Sequence, residues 1–221
     1  MFNDSEPVFF RQPLEPVPEY PKELLSTTFG TTKFQNTNDE RIKDLDRGLA
    51  TCWQVMRRFC LLVNLAAQTQ ASIRAELIYG TMIAVMYRLL RMDFSPGSLD
   101  QCIRHGLVVF SYHIFLQWQD VRLPYTHFPN VYKDCVLDLK LTGRVSSRLM
   151  LWLLMIGASS LYKAEDEEWL RLGLREHVER CQLRTWKEMQ EILKSYMWIA
   201  LLDDRTVKEI FELIRERKEK E

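Results

Sequence analysis

The stretch Arg148–Leu170, RLMLWLLMIGASSLYKAEDEEWL, decides how the chain is read. Leu149 to Ala158 carry no charge and almost no polarity. A small-residue turn follows at Ser159-Ser160, and then the acidic run Glu165-Asp166-Glu167-Glu168 leads into Trp169. The apolar run is about half the roughly 20 residues that a bilayer span needs, so it is no membrane anchor. Gly157-Ala158-Ser159-Ser160-Leu161 lacks the second glycine of a nucleophile elbow, and no strand precedes it. A short segment that is apolar nearly all round marks a helix enclosed on every side by protein. The stretch therefore reads as the central helix of a core.

Working outward, the chain continues helix after helix. No long segment alternates apolar and polar residues with period two, which argues against a sheet. Thr37-Asn38-Asp39-Glu40 fits a capping box and is expected to open the first helix. Ile42, Leu45, Leu49, Cys52, Trp53, Met56, Cys60 and Val63 would form its stripe. A second helix is expected over Ile73–Met92, ended by Ser95-Pro96-Gly97. Ser98-Leu99-Asp100-Gln101 caps the next, striped by Cys102, Ile103, Gly106, Leu107, Phe110 and Ile114. Leu123-Pro124 to Phe128-Pro129 reads as an aromatic-rich loop, with a helix from about Asn130 to Leu141 stopping at Gly143.

After the central helix, Leu170, Leu174, Val178 and Cys181 share a face. Thr185-Trp186-Lys187-Glu188 caps a helix carrying Met189, Ile192, Leu193 and Tyr196. Asp203 or Asp204 is expected to cap the last helix, striped by Val207, Ile210, Phe211 and Ile214. The expected fold is all-α, an irregular bundle of about eight helices around a buried central helix. Residues 1–36, with Pro7, Pro13, Pro16, Pro18 and Pro21, read as an extended or disordered arm that could pack Phe9, Phe10 or Leu14 onto the domain. The domain covers 37–214, and 215–221 is a mixed-charge tail.

Composition narrows the function classes. The 221 residues carry 30 Lys+Arg against 30 Asp+Glu, so no net positive field points to nucleic acid. The five cysteines are widely spaced and form no C-x-x-C pair, as expected of buried thiols in a reducing compartment. The eight glycines never cluster into a phosphate-binding loop. His177 and Cys181 share a helix face, but two ligands do not close a zinc site, and a packed Cys beside a solvated His is expected. Asp203-Asp204-Arg205-Thr206-Val207 lacks the third carboxylate of a magnesium-binding aspartate-rich helix. The basic pairs Arg57-Arg58 and Arg88/Arg91 read as solvated helix faces. No catalytic residue, cofactor or metal ligand emerges. Trp152, Trp169, Trp186, Tyr196 and Trp198 fall close together in sequence and are the candidate ligand-binding or regulatory core.

Leu151–Gly157, Trp169, Thr185-Trp186 and Leu193-Lys194-Ser195-Tyr196-Met197-Trp198, in that order, together resemble the C-terminal regulatory domain of fungal-specific transcription factors. The middle stretch "YRLLRMDFSPGSLDQCIRHGLVVFSY" is similar as well, and the likeness spans roughly residues 40–214. It implies an all-α, non-enzymatic domain that regulates transcription in the nucleus through a protein partner, a homodimer or a small apolar effector. Members usually carry a DNA-binding zinc cluster that begins C-x2-C-x6-C. Here the first cysteine is Cys52, inside a helix, so direct DNA binding is not expected from this chain. It would be a stand-alone regulatory domain, a truncated product, or a member acting through a partner. Without the resemblance, a cytoplasmic location is the default. The alternatives are an all-α enzyme or binder for an apolar small molecule, and a plain helical interaction scaffold.

Overall fold

The computed structural model describes residues 17–25, 44–116, 127–143, 145–164 and 166–216. Among these the regular structure is all helical, with no strand. The helices are α1 (Lys22–Leu25), α2 (Arg47–Thr69), α3 (Ala75–Arg91), α4 (Leu99–Phe115), α5 (Phe128–Leu141), α6 (Ser147–Ser160), α7 (Glu168–Arg180), α8 (Trp186–Tyr196) and α9 (Ala200–Glu216).

Local chemistry sets most of the boundaries. The Ser98 hydroxyl accepts the Gln101 amide at 3.1 Å and starts α4. Ser146 does the same for α6, accepting from Leu149 N at 3.2 Å. Thr185 and Glu188 form the reciprocal capping box of α8. Gly97 and Gly143 have φ of +73° and +60°, left-handed values that glycine adopts without strain, at the turn before α4 and just past the end of α5.

Three boundaries differ from the sequence reading. Thr37–Glu40 and Ile42 lie outside the described residues. The helix itself starts at Arg47, where the Asp46 carboxylate accepts from Gly48 N and Leu49 N at 2.8 and 3.1 Å. Phe128 and Pro129 belong to α5 rather than to a loop, since proline at a helix start gives up no needed N–H. Helix α9 begins at Ala200, so Asp203 and Asp204 are inside it, and it runs on through Arg215 and Glu216 into the stretch read as a tail.

Helix α6 is central. Leu149–Ala158 are all buried, and α4, α5, α7, α8 and α9 pack around it. Each fully buried leucine there contributes roughly 2 kcal/mol relative to exposure. Close approach depends on missing side chains. A Cβ on Gly106 of α4 would lie 2.8 Å from Leu153 Cδ2 and 3.3 Å from Trp152 Cζ3. A Cβ on Gly173 of α7 would lie 3.3 Å from Leu154. No described helix is long and apolar enough to cross a membrane.

Candidate regulatory core

The five aromatic residues singled out in the sequence do not line one pocket. They divide among four places. Trp152 on α6 and Tyr196 on α8 are both buried and stack at 6.2 Å with an interplanar angle of 27°. Trp53 of α2 meets the Trp152 ring edge-on at 5.1 Å, and Phe110 of α4 lies 6.2 Å away. Trp169 is half-buried elsewhere, edge-on to Tyr162 at 5.3 Å, with its indole N–H donating to Glu167 at 2.7 Å. Trp186 is half-buried against Phe211 of α9 at 6.2 Å.

Trp198 belongs to a different arrangement, one that the sequence did not reveal. Between α8 and α9 the chain runs extended and fully buried through Met197, Trp198 and Ile199. A buried extended segment must find partners for its peptide groups, and this one borrows them from three other helices. The Trp152 indole donates to Met197 O at 2.9 Å. Asn64 of α2 donates to Trp198 O at 2.6 Å and accepts from Ala200 N at 3.0 Å. The Asp203 carboxylate accepts from Ile199 N at 3.2 Å, and its other oxygen holds His113 Nε2 of α4 at 2.6 Å. Trp198 Nε1 donates to Asp204 at 2.8 Å, and Gln190 donates to the same carboxylate at 2.5 Å.

Asp203 is 1% exposed and lies in the first turn of α9, so the reading of it as the helix cap is corrected. A carboxylate can be that buried because an imidazole 90 residues away faces it. A signal for Asn64 did exist: it lies four residues after Cys60 on the apolar stripe of α2, where a polar side chain needs a buried partner.

His177 and Cys181 reverse the expected burial. His177 is 3% exposed, with neither ring nitrogen hydrogen-bonded, while Cys181 is half-exposed. Burial pushes the His177 pKa below its ordinary value and keeps the ring neutral. Among the described residues no three His, Cys, Asp or Glu side chains gather to hold a metal.

The arm supplies a further surface. Phe9, Phe10 and Leu14 lie outside the described residues, but Val17–Leu25 docks on α2 and α3. The Tyr20 hydroxyl lies 3.0 Å from Cys52 Sγ, and burial, then that bond, raises the phenol's pKa. The Arg88 guanidinium covers the Tyr20 ring at 4.0 Å and donates to Pro18 O at 2.6 Å. Arg58 donates to Leu24 O at 2.7 Å, and Arg74 pairs with Glu23. Arg58 and Arg88 are thus strap-holding groups rather than parts of solvated faces. Leu24 is buried and helps, with Leu62, Leu65, Ala66, Ile73 and Leu77, to line an apolar groove of about 290 Å³. A second cleft, of about 490 Å³, lies where α7 and α9 meet the turn before α8, with Arg175, Arg184, Arg215 and Glu179 at its walls. Each of the two cavities holds a single carboxylate, Glu23 in one and Glu179 in the other.

No family model, no curated protein and no solved structure matches this chain.

Proposed function

We propose that this chain is a regulatory domain akin to the C-terminal domain of fungal-specific transcription factors, acting in the nucleus through protein contacts and without a zinc cluster of its own. The observation that supports this best is the docked strap. Val17–Leu25 is held by three arginines, one half-buried tyrosine and a single buried leucine, so it can leave α2 and α3 without opening the core around α6. An intramolecular segment of that strength suits a switch whose two states a partner biases.

The test is a reporter assay in which the chain is fused to an unrelated DNA-binding domain. Wild type and a strap-release variant, Arg58→Ala with Arg88→Ala, are compared at equal protein level. The reading expects the variant to change transcription several-fold. Equal output from a chain shown to be folded would sink it, and so would sequence-specific binding of duplex DNA by the isolated chain.

A binder of small apolar molecules is the second reading, favoured by the groove beside Leu24. Its volume is near the lower end for drug-sized ligands. An enzyme that ionises apolar substrates on clustered carboxylates gains no support from either cavity, each holding one.

A further inference from the structure

The cleft where α7 and α9 meet the turn before α8 takes no part in the regulatory core or in the strap. Its floor is apolar: Val178 of α7 and Ile214 of α9 are buried there, and Leu183 of the turn is half-buried beside them. Its rim carries three guanidinium groups. Arg175 of α7 is half-buried, while Arg184 of the turn and Arg215 in the last turn of α9 are exposed. A volume of about 490 Å³ falls within the range of small-molecule sites.

Local chemistry delivers these side chains. Gln182 follows α7 at φ +55°, a left-handed value, and the Leu183 amide turns back to donate to Val178 O at 3.1 Å. That reversal seats Leu183 against the core and leaves Arg184 outside it. Glu188, the next carboxylate along the chain, accepts the Arg184 and Thr185 amides at 2.7 and 2.9 Å in the cap of α8. Arg215 reaches across from α9 to donate Nη1 to Arg184 O, with its guanidinium carbon 5.8 Å from the centre of the Phe211 ring. One hydrogen bond thus ties the turn to the end of α9.

Ordinary helix electrostatics accounts for only one of the three arginines. A cation in the last turn of α9 is favoured by the helix dipole, which explains Arg215. Arg184 stands just ahead of the Thr185 cap of α8, at the helix end where a cation is disfavoured. Arg175 lies within α7, away from both ends. The chain balances 30 basic against 30 acidic residues, yet here three arginines face a single carboxylate, Glu179. None of the lining cations is lysine. The planar guanidinium fork holds the oxygens of a carboxylate or phosphate through two parallel hydrogen bonds, which an ammonium group cannot do.

We infer that this cleft binds a small amphipathic anion, a carboxylate or phosphate monoester on an apolar body. The oxyanion is gripped at the rim by Arg175 and Arg184 and drawn in by the charge of Arg215, and the body lies on Val178, Leu183 and Ile214. Charge without an apolar body would leave the floor wet, and an apolar body without charge would leave the guanidinium groups unserved. The site therefore selects for both together. It is separate from the groove beside Leu24, which has one arginine and one carboxylate, Arg74 and Glu23, and those two pair with each other.

Isothermal titration calorimetry of the full chain with four probes tests this: decanoate, decyl phosphate, decanol and inorganic phosphate. At least one of the two amphipathic anions should bind at a single site, roughly tenfold or more tighter than decanol or inorganic phosphate, and the two anions together tell which headgroup is preferred. Arg175→Gln with Arg184→Gln should weaken that binding by roughly tenfold or more, while Leu65→Glu in the other groove leaves it unchanged. Thermal unfolding checks that each variant is folded, and Arg184→Gln alone, at an exposed position, serves if the double variant is not. The inference is overturned if neither anion binds, or if decanol or inorganic phosphate binds as tightly. Undiminished binding in the folded arginine variant, or a loss caused by Leu65→Glu instead, overturns it as well. Neither the strap nor a reporter enters the measurement, so its failure would leave the transcriptional reading standing.

Discussion

Helix α6 and the Val17–Leu25 strap are both docked segments, yet they are held by opposite means. Leu149–Ala158 are buried to the last residue, and their neighbours on α4 and α7 have given up side chains to let them in. The strap buries one leucine and half a tyrosine, and is otherwise held by guanidinium groups reaching its carbonyls and one carboxylate. Apolar burial adds up per area and fails only when the whole helix leaves, whereas a few charge-assisted bonds can be exchanged for water one at a time. The same chain therefore carries an element that cannot move without unfolding and another that can.

Four substitutions would break or sharpen that contrast. Trp152→Ala removes the ring that Trp53, Phe110 and Tyr196 pack against and the donor to Met197 O. It should lower unfolding free energy by about 4 kcal/mol in urea titration. A loss below about 1 kcal/mol would mean the core around α6 is loose. Asp203→Ala strips the partner from His113 and from the Ile199 amide and should cost about 3 kcal/mol by the same measurement. Gly106→Ala forces a methyl against Leu153 and Trp152 and should cost about 1–2 kcal/mol, read as a fall in thermal midpoint. Arg88→Ala should change global stability least, by about 1 kcal/mol or less, while limited proteolysis cuts within Val17–Leu25 several-fold faster. Equal protease resistance in wild type and Arg88→Ala would erase the distinction between the two segments.

The legible part of the fold is the part governed by neighbours in sequence. The caps at Ser98 and Thr185, the stop near Gly143 and the all-round burial of α6 are all local or periodic signals. The candidate site was legible only in pieces. Trp152 and Tyr196 do meet, but Trp53 completes their cluster from 99 positions upstream of Trp152, too far for any local pattern to announce. Trp169 and Trp186, close in sequence to the others, face away to different partners. Asp203 looks like any acidic residue in a first helical turn until His113 is placed opposite it. His177 and Cys181 share a face as their spacing requires, but spacing does not say which end of that face the neighbouring helices cover.

The extended link Met197–Ile199 has a consequence for how the molecule breathes. Amides outside helices ordinarily exchange with solvent through small local openings. Here the Ile199 and Ala200 amides are bonded to Asp203 and to Asn64 of α2, and the carbonyls beside them to Asn64 and Trp152. To free either amide, contacts to several helices must let go together. These loop amides should therefore exchange as slowly as the interior of α6, so that the joint between α8 and α9 belongs to the most cooperative unit of the protein rather than to its hinges.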